Sequence, residues 1–219
     1  MKKDWVEYYS LRSKKFNNRN DVAEINLGTK FKTRNFLINE KKRLLNVLQP
    51  KEKSTLYDFG CNVGVISELL SNKFETIIGL DLSEDCLKLA SEAIQNGKFY
   101  CCDLEKLDPK IVNNLKYGIC YGVLHYLKDI KVCIKFIKKL SELSQPGAKI
   151  IFSRIPNLKH KKNYLKFKKI KESENTWIFY DPNFFIENFS DHYHVIPILP
   201  IESISYPFLA FFELILIKK

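Results

Sequence analysis

The stretch Tyr57-Asp58-Phe59-Gly60-Cys61-Asn62-Val63-Gly64 decides the fold. Thr55 to Phe59 reads as a short strand, and Gly60 and Gly64 permit a tight turn. Val65, Ile66, Leu69 and Leu70 follow at helical spacing. A glycine turn between strand and helix lets a ligand approach the backbone, and the helix start supplies free amides. Residues 75–82 form the next strand, closing on Asp81, 21 residues after Gly60, where a carboxylate can accept both hydroxyls of a ribose. Each signal alone is weak. Together, in a strand-turn-helix-strand unit, they point to a ligand of the adenosine type.

Outward from this unit the elements keep alternating. Ser83 caps the next helix, with Glu84 and Asp85 in its first turn and Leu87, Ala90 and Ile94 as its inner stripe. Residues 98–104 and 116–123 read as further strands, and Ile130, Cys133, Ile134, Ile137 and Leu140 mark an amphipathic helix. It ends before Gln145-Pro146-Gly147, and residues 148–155 give a fifth strand. Strands separated by helices at this interval predict right-handed crossovers and a parallel sheet covered on both faces. Asp181-Pro182 starts a last helix. Residues 194–199 and 208–217 have no helix between them, so they must form an antiparallel hairpin at the sheet edge. The expected fold is α/β, Rossmann-like and doubly wound, with seven strands, one of them reversed.

Within a single domain of 219 residues, 1–50 read as an N-terminal helical cover, with helices over 3–16 and 33–48 and a Gly28-Thr29 turn between them. Residues 54–155 are the ligand-binding core, 156–180 a basic insert, and 181–219 the C-terminal helix and hairpin. The chain has no run of 18 apolar residues, which argues against a membrane-spanning helix. Met1-Lys2-Lys3-Asp4-Trp5 lacks the apolar run of a secretory signal. The six cysteines include no CxxC pair and supply no metal-ligand spacing. They read as reduced thiols of a cytoplasmic protein.

The net charge of +11 is local. Residues 1–50 hold 12 Lys/Arg against 5 Asp/Glu, and residues 159–171 hold seven lysines and no acid. Only 5 of the 36 basic residues are arginine, the preferred side chain for bidentate phosphate and base recognition, which disfavours nucleic acid as the partner. A small polar or anionic substrate fits the charge better. Tyr164, Leu165, Phe167 and Ile170 interleave with the lysines. The segment is therefore either a solvated face or an amphipathic lid that brings Lys161 and Lys162 to the substrate.

Charge also selects among adenosine ligands. A dinucleotide turn reads GxGxxG and cradles a pyrophosphate. Here the turn reads GxxxG with Asp58 two residues ahead, which repels phosphate and suits the ammonium of a methionine moiety. At this point the chain resembles the class I S-adenosylmethionine-dependent methyltransferases, small-molecule and glycan-modifying members in particular. The resemblance rests on YDFGCNVG, IIGLDLS, CCDLEKL, YGICYGVLHYL and QPGAKIIFSR, and covers residues 54–155.

By that resemblance the cofactor is S-adenosylmethionine, released as S-adenosylhomocysteine. Asp58, Gly60, Cys61, Asn62 and Gly64 line its methionyl part. Asp81 with Leu82 holds the ribose, Cys102, Asp103 and Leu104 face the adenine, and Tyr121 and Gly122 border the transferable methyl. Asn62 replaces a usual glycine but tolerates left-handed geometry. Neither the (Asp/Asn)-Pro-Pro-(Tyr/Phe) tetrapeptide of amino-methylating nucleic-acid enzymes nor the Pro-Cys of RNA cytosine enzymes is present.

His125, just past the fourth strand, is the candidate general base; lining the pocket without proton transfer and a purely structural role are the other readings. Tyr8, Tyr9, Tyr126 and Arg154 are expected on the substrate side. His192 and His194 alternate as in an edge strand, and no third ligand turns them into a metal site. The expected reaction is methyl transfer to a small-molecule acceptor, with O-methylation of a sugar, phosphate-bearing or surface-glycan intermediate foremost. An RNA methyltransferase and a non-catalytic cofactor-binding subunit are the alternatives.

Overall fold

The computed structural model describes residues 4–25, 30–51, 53–202 and 210–219. The Gly28-Thr29 turn and the residues around Pro207 lie outside that set. The N-terminal cover holds α1 (Trp5–Lys15), α2 (Arg19–Val22) and α3 (Lys30–Leu48). Asp4 caps α1 by accepting from the Val6 and Glu7 amides, and Asn18 caps α2 by accepting from Asn20. The core follows as β1 (Thr55–Phe59), α4 (Val65–Ser71), β2 (Thr76–Asp81), α5 (Glu84–Ala93), β3 (Gly97–Cys101), β4 (Leu115–Tyr121), α6 (Ile130–Leu143) and β5 (Ser144–Pro156). Then come α7 (Lys161–Lys168), α8 (Pro182–Phe189), β6 (Tyr193–Glu202) and β7 (Ala210–Lys218).

These strands make one sheet in the order β3-β2-β1-β4-β5-β7-β6. All neighbours from β3 to β5 are parallel, and β7 runs antiparallel to both β5 and β6. The seven strands and the closing hairpin are those expected; the reversed strand is β7, with β6 outermost. Strand alternation sorts β1 between the two faces. Tyr57 and Phe59 pack with Phe136, Ile137 and Leu140 of α6 and with Phe185 and Phe189 of α8. Leu56 packs on the other face with Leu44 and Leu48 of α3 and with Ile66 and Leu70 of α4. Burying each such side chain contributes about 1.5–3 kcal/mol.

Among the boundaries that differ from expectation, three have a clear local cause. β3 stops at Cys101 because the Asp103 carboxylate accepts the Glu105 amide at 2.9 Å and starts a short 3₁₀ turn, Leu104–Lys106. Likewise, β4 stops at Tyr121, where Gly122 has φ +70° and turns the chain into the cleft. Gln145-Pro146-Gly147 belongs to β5 rather than to a separate turn. Ser144 still pairs with Leu115, and the extra residues before Lys149 form a bulge with Gly147 at φ +76°. Five of the six cysteines are buried as small apolar groups, and Cys101 is exposed. No helix among the described residues is long and apolar enough to cross a membrane.

Candidate active site

A cavity of about 480 Å³ opens at the carboxyl ends of β1, β2, β4 and β5, beneath α1. Ligands of open α/β sheets bind at this edge. Its floor is the glycine turn. The amides of Gly60 and Cys61 both donate to the Leu80 carbonyl, at 2.7 and 3.0 Å, tying the tip of β1 to that of β2. Gly60 has φ +79°, and a Cβ on it would lie 2.4 Å from Cγ2 of Val123. Only glycine fits. Asn62 adopts φ +50°, and its Oδ1 accepts the Val63 amide at 2.7 Å, so an asparagine serves where the resemblance has glycine.

Two carboxylates line the cavity at this turn. Asp81 accepts the Asn62 amide on one oxygen and the Ser83 amide on the other, both at 2.9 Å. Asp58 is buried and accepts the Ser67 hydroxyl at 2.6 Å. Burial, opposed by that hydrogen bond and reinforced by the charge of Asp81, pushes Asp58 up to about 7. Burial likewise raises Asp81. Two carboxyls held out of water and close together favour a cationic ligand with hydroxyl donors, and they disfavour a diphosphate.

Above the floor, the turn after β4 brings in Gly122, Val123, His125 and Tyr126. A Cβ built on Gly122 meets no atom within 4 Å, so the cavity continues over it. His125 is buried with Nδ1 unpartnered. Burial first, and the charge of Arg154 second, push it down to about 3, so it stands neutral at physiological pH. The 156–180 insert returns over it. Asn157 bridges to Tyr180, the Ile178 amide donates to the His125 carbonyl at 3.1 Å, and the Tyr180 hydroxyl donates to the Leu124 carbonyl at 2.9 Å. Trp177 is thereby placed with its ring centre 4.4 Å from that of His125. Tyr164 of α7 stacks behind Trp177 at 4.8 Å.

The roof is α1. Trp5 lies 4.2 Å from the Tyr126 ring, and the Tyr9 and Tyr126 hydroxyls are 3.2 Å apart. Glu24 accepts from the hydroxyls of Tyr8 and Tyr9 at 2.8 and 3.3 Å. On the other flank of α1, Ser10 and Lys14 bind Asp85 of α5.

Of the residues singled out in the sequence, Asp58, Gly60, Cys61, Asn62, Asp81, Leu82, Cys102, Asp103, Leu104, Tyr121, Gly122, His125, Tyr9, Tyr126 and Arg154 line this cavity. Four do not. Gly64 packs away from it: a Cβ there would lie 3.0 Å from Ala90 and from Ile94, so this glycine lets α4 approach α5. Tyr8 stands behind Tyr9, bonded to Glu24 and Arg12. Lys161 pairs with Glu172 at 2.6 Å, and Lys162 is exposed, because α7 turns its apolar face inward toward Trp177, Phe179 and Phe211. His194 lies in β6, while His192 precedes it in a turn, and both are exposed.

Sequence reasoning missed Trp177 as a wall of the cavity, for no periodicity or motif surrounds it. Trp5, on α1, was likewise not expected in the cavity wall. Phe211 and Lys128 also line the cavity and carried no sequence signal.

This sheet order, with the cleft at the glycine turn, defines the class I methyltransferase fold. Within the chain, residues 57–152 match the family described as "Methyltransferase domain". The chain is 29% identical over 102 residues to the ubiquinone biosynthesis O-methyltransferase of Idiomarina loihiensis, covering 45% of this chain and 41% of that protein. It is 26% identical over 115 residues to the malonyl-[acyl-carrier protein] O-methyltransferase of Hamiltonella defensa, covering 52% and 42%. The match thus spans about two fifths of the length of these curated relatives. Among solved structures, N-methyltransferase NodS from Bradyrhizobium japonicum WM9, in complex with S-adenosylhomocysteine, superposes with a TM-score of 0.70 at 12% identity, covering 99% of both chains.

Proposed function

We propose that this protein transfers a methyl group from S-adenosylmethionine to a small-molecule acceptor, at an oxygen nucleophile. Asp58, buried at the glycine turn, and the half-buried Asp81 beside it carry the reading. Those carboxyls suit the ammonium and the ribose hydroxyls of the donor, and the cavity over Gly122 leaves room beside them. Bound there, S-adenosylmethionine supplies a methyl group already activated on a sulfonium. The chain is left with binding, orientation and deprotonation.

Asp58 holds the ammonium, and the Asn62 and Ser83 amides fix the Asp81 carboxylate toward the ribose. Leu82, Cys102, Asp103 and Leu104 flank the adenine side. The acceptor enters the aromatic chamber of Trp5, Tyr9, Tyr126 and Trp177, whose rings suit the flat C–H face of a sugar or another cyclic compound and keep water out. Neutral His125, on the turn beside Gly122, takes the proton of the attacking hydroxyl late, as the forming O–CH3 bond makes that oxygen acidic enough for so weak a base. The preference for a sugar, phosphate-bearing or glycan intermediate rests on this ring-lined chamber.

Calorimetry with S-adenosylmethionine, S-adenosylhomocysteine and NAD tests the donor. Tight uptake of the first two and none of the third is expected; the reverse overturns the reading. Transfer of label from methyl-labelled donor to a panel of cyclic hydroxyl compounds tests the acceptor class.

A further inference from the structure

β5 and β7 slip register where they pass the cavity. Phe152 pairs with Leu214 and Ile155 with Phe212, so Ser153 and Arg154 together oppose the single residue Glu213. This is a β-bulge, a device that re-aims a side chain. Arg154 sits in it at φ +58°, a left-handed conformation that costs a non-glycine residue about 1–3 kcal/mol. The strain puts its side chain on the cavity wall, with the guanidinium carbon 6.0 Å from the Tyr121 ring and 5.3 Å from the Phe211 ring.

The nearby acids are already engaged. Glu213, opposite the bulge, is buried and takes the Ser153 hydroxyl and Arg43. Glu24 serves Tyr8, Tyr9 and Arg12. Asp58, the penultimate residue of β1, lies two strands away across β4, at least about 10 Å at ordinary strand spacing. Among the described residues no carboxylate lies within ion-pair distance of Arg154. A strained, rigidly flanked guanidinium thus faces the cavity at the end opposite the Asp58–Asp81 pair. Its planar fork matches an oxyanion.

We infer that Arg154 anchors the acceptor by an oxyanion, a carboxylate or a phosphate monoester carried on a ring that rests against Trp177 and Tyr126. This deepens the methyltransferase reading and rests on it. An acceptor so held neutralises the cation that faces His125.

The test titrates wild-type protein saturated with S-adenosylhomocysteine with benzoate, phenyl phosphate and uncharged benzamide by calorimetry. At least one oxyanion is expected to bind tenfold or more tighter than benzamide, and whichever does names the group. Arg154→Gln, which meets the same backbone strain, should close that gap to under twofold, and Arg154→Lys should keep part of it. Thermal melts confirm that both variants fold. The anchor is overturned if benzamide binds wild type as well as both oxyanions, if nothing binds, or if Arg154→Gln keeps the gap. Should S-adenosylhomocysteine itself fail to bind wild type, the donor reading falls, and the same titrations on ligand-free protein decide the anchor separately.

Discussion

The ring of Trp177 lies 4.4 Å from that of His125, though 52 residues separate them, because the insert that carries Trp177 is pinned back onto the turn after β4. The imidazole is enclosed by that ring and by Tyr126 at 4.0 Å. Trp177→Ala opens this enclosure to water. His125 should then titrate closer to its ordinary value near 6.5, readable as a shift of its imidazole proton resonances with pH. An unchanged titration would mean that other groups exclude the water.

His125→Ala separates proton transfer from binding. As the acceptor's base, His125 should contribute about 10²–10⁴-fold to turnover. The variant is therefore expected to lose kcat by that factor, with the dissociation constant for S-adenosylhomocysteine moving less than threefold. Equal losses in both would remove the base.

With Asp58 as the proposed partner of the ammonium, cofactor binding is linked to pH. The Asp58 carboxyl is held up to about 7 in the folded protein against an ordinary value near 3.8. The native state therefore holds this proton over a range where the unfolded chain has lost it, and its contribution to stability falls as pH rises from about 4 to about 7. Asp58→Asn should raise the melting temperature at pH 8 and change it little at pH 4. The same variant should weaken S-adenosylmethionine binding at least tenfold. In the wild type, binding of the cationic donor below pH 7 should release a proton, measurable by calorimetry in buffers of different ionisation enthalpy.

Gly60→Ala meets both a left-handed backbone and the Val123 side chain. It should destabilise by about 1–3 kcal/mol and weaken donor binding. Adding Val123→Ala removes the clash but not the strain, so the double variant should recover part of the loss. The departure of the double variant from the sum of the Gly60→Ala and Val123→Ala losses, read from denaturant midpoints, is the coupling between the two sites.

Buried charge beside the bulge gives an asymmetric expectation. Arg43 of α3 pairs with Glu40 at 2.6 Å and with Glu213, which is only 1% exposed. Arg43→Met strands two carboxylates and should cost about 3–5 kcal/mol. Glu213→Gln leaves Arg43 its Glu40 partner and keeps an acceptor for Ser153, so urea unfolding should show a clearly smaller loss. Equal losses would mean that Glu40 contributes nothing to holding Arg43.

The sheet and the floor of the cavity were legible because they are written locally. A strand, a glycine turn and a carboxylate at a fixed interval lie within the 27 residues from Thr55 to Asp81. Gly64 shows the limit of such reading, since the same motif glycine can serve a ligand or a helix contact, and only Ala90 and Ile94 decide which. The walls above that floor were legible in part. Lys161 and Lys162 drew attention by charge, yet the apolar stripe of α7 turned them outward. Trp177 lies in a segment without regular structure, and its place is set by the pairing of Asn157 with Tyr180. Arg154 was expected on the substrate side, yet the register slip that sets it in the cavity wall has no signature in the sequence. Long-range pairing carries no local signature.

The pinning of Asn157 to Tyr180 gives the molecule a seam. Everything between those two residues, including Tyr164 and Trp177, enters and leaves the sheet edge at one place, while the cavity floor is built upstream of residue 105. One short cassette, spliced at two adjacent points, can therefore rework the Trp177 wall of the cavity while the glycine turn and its two carboxylates stay as they are.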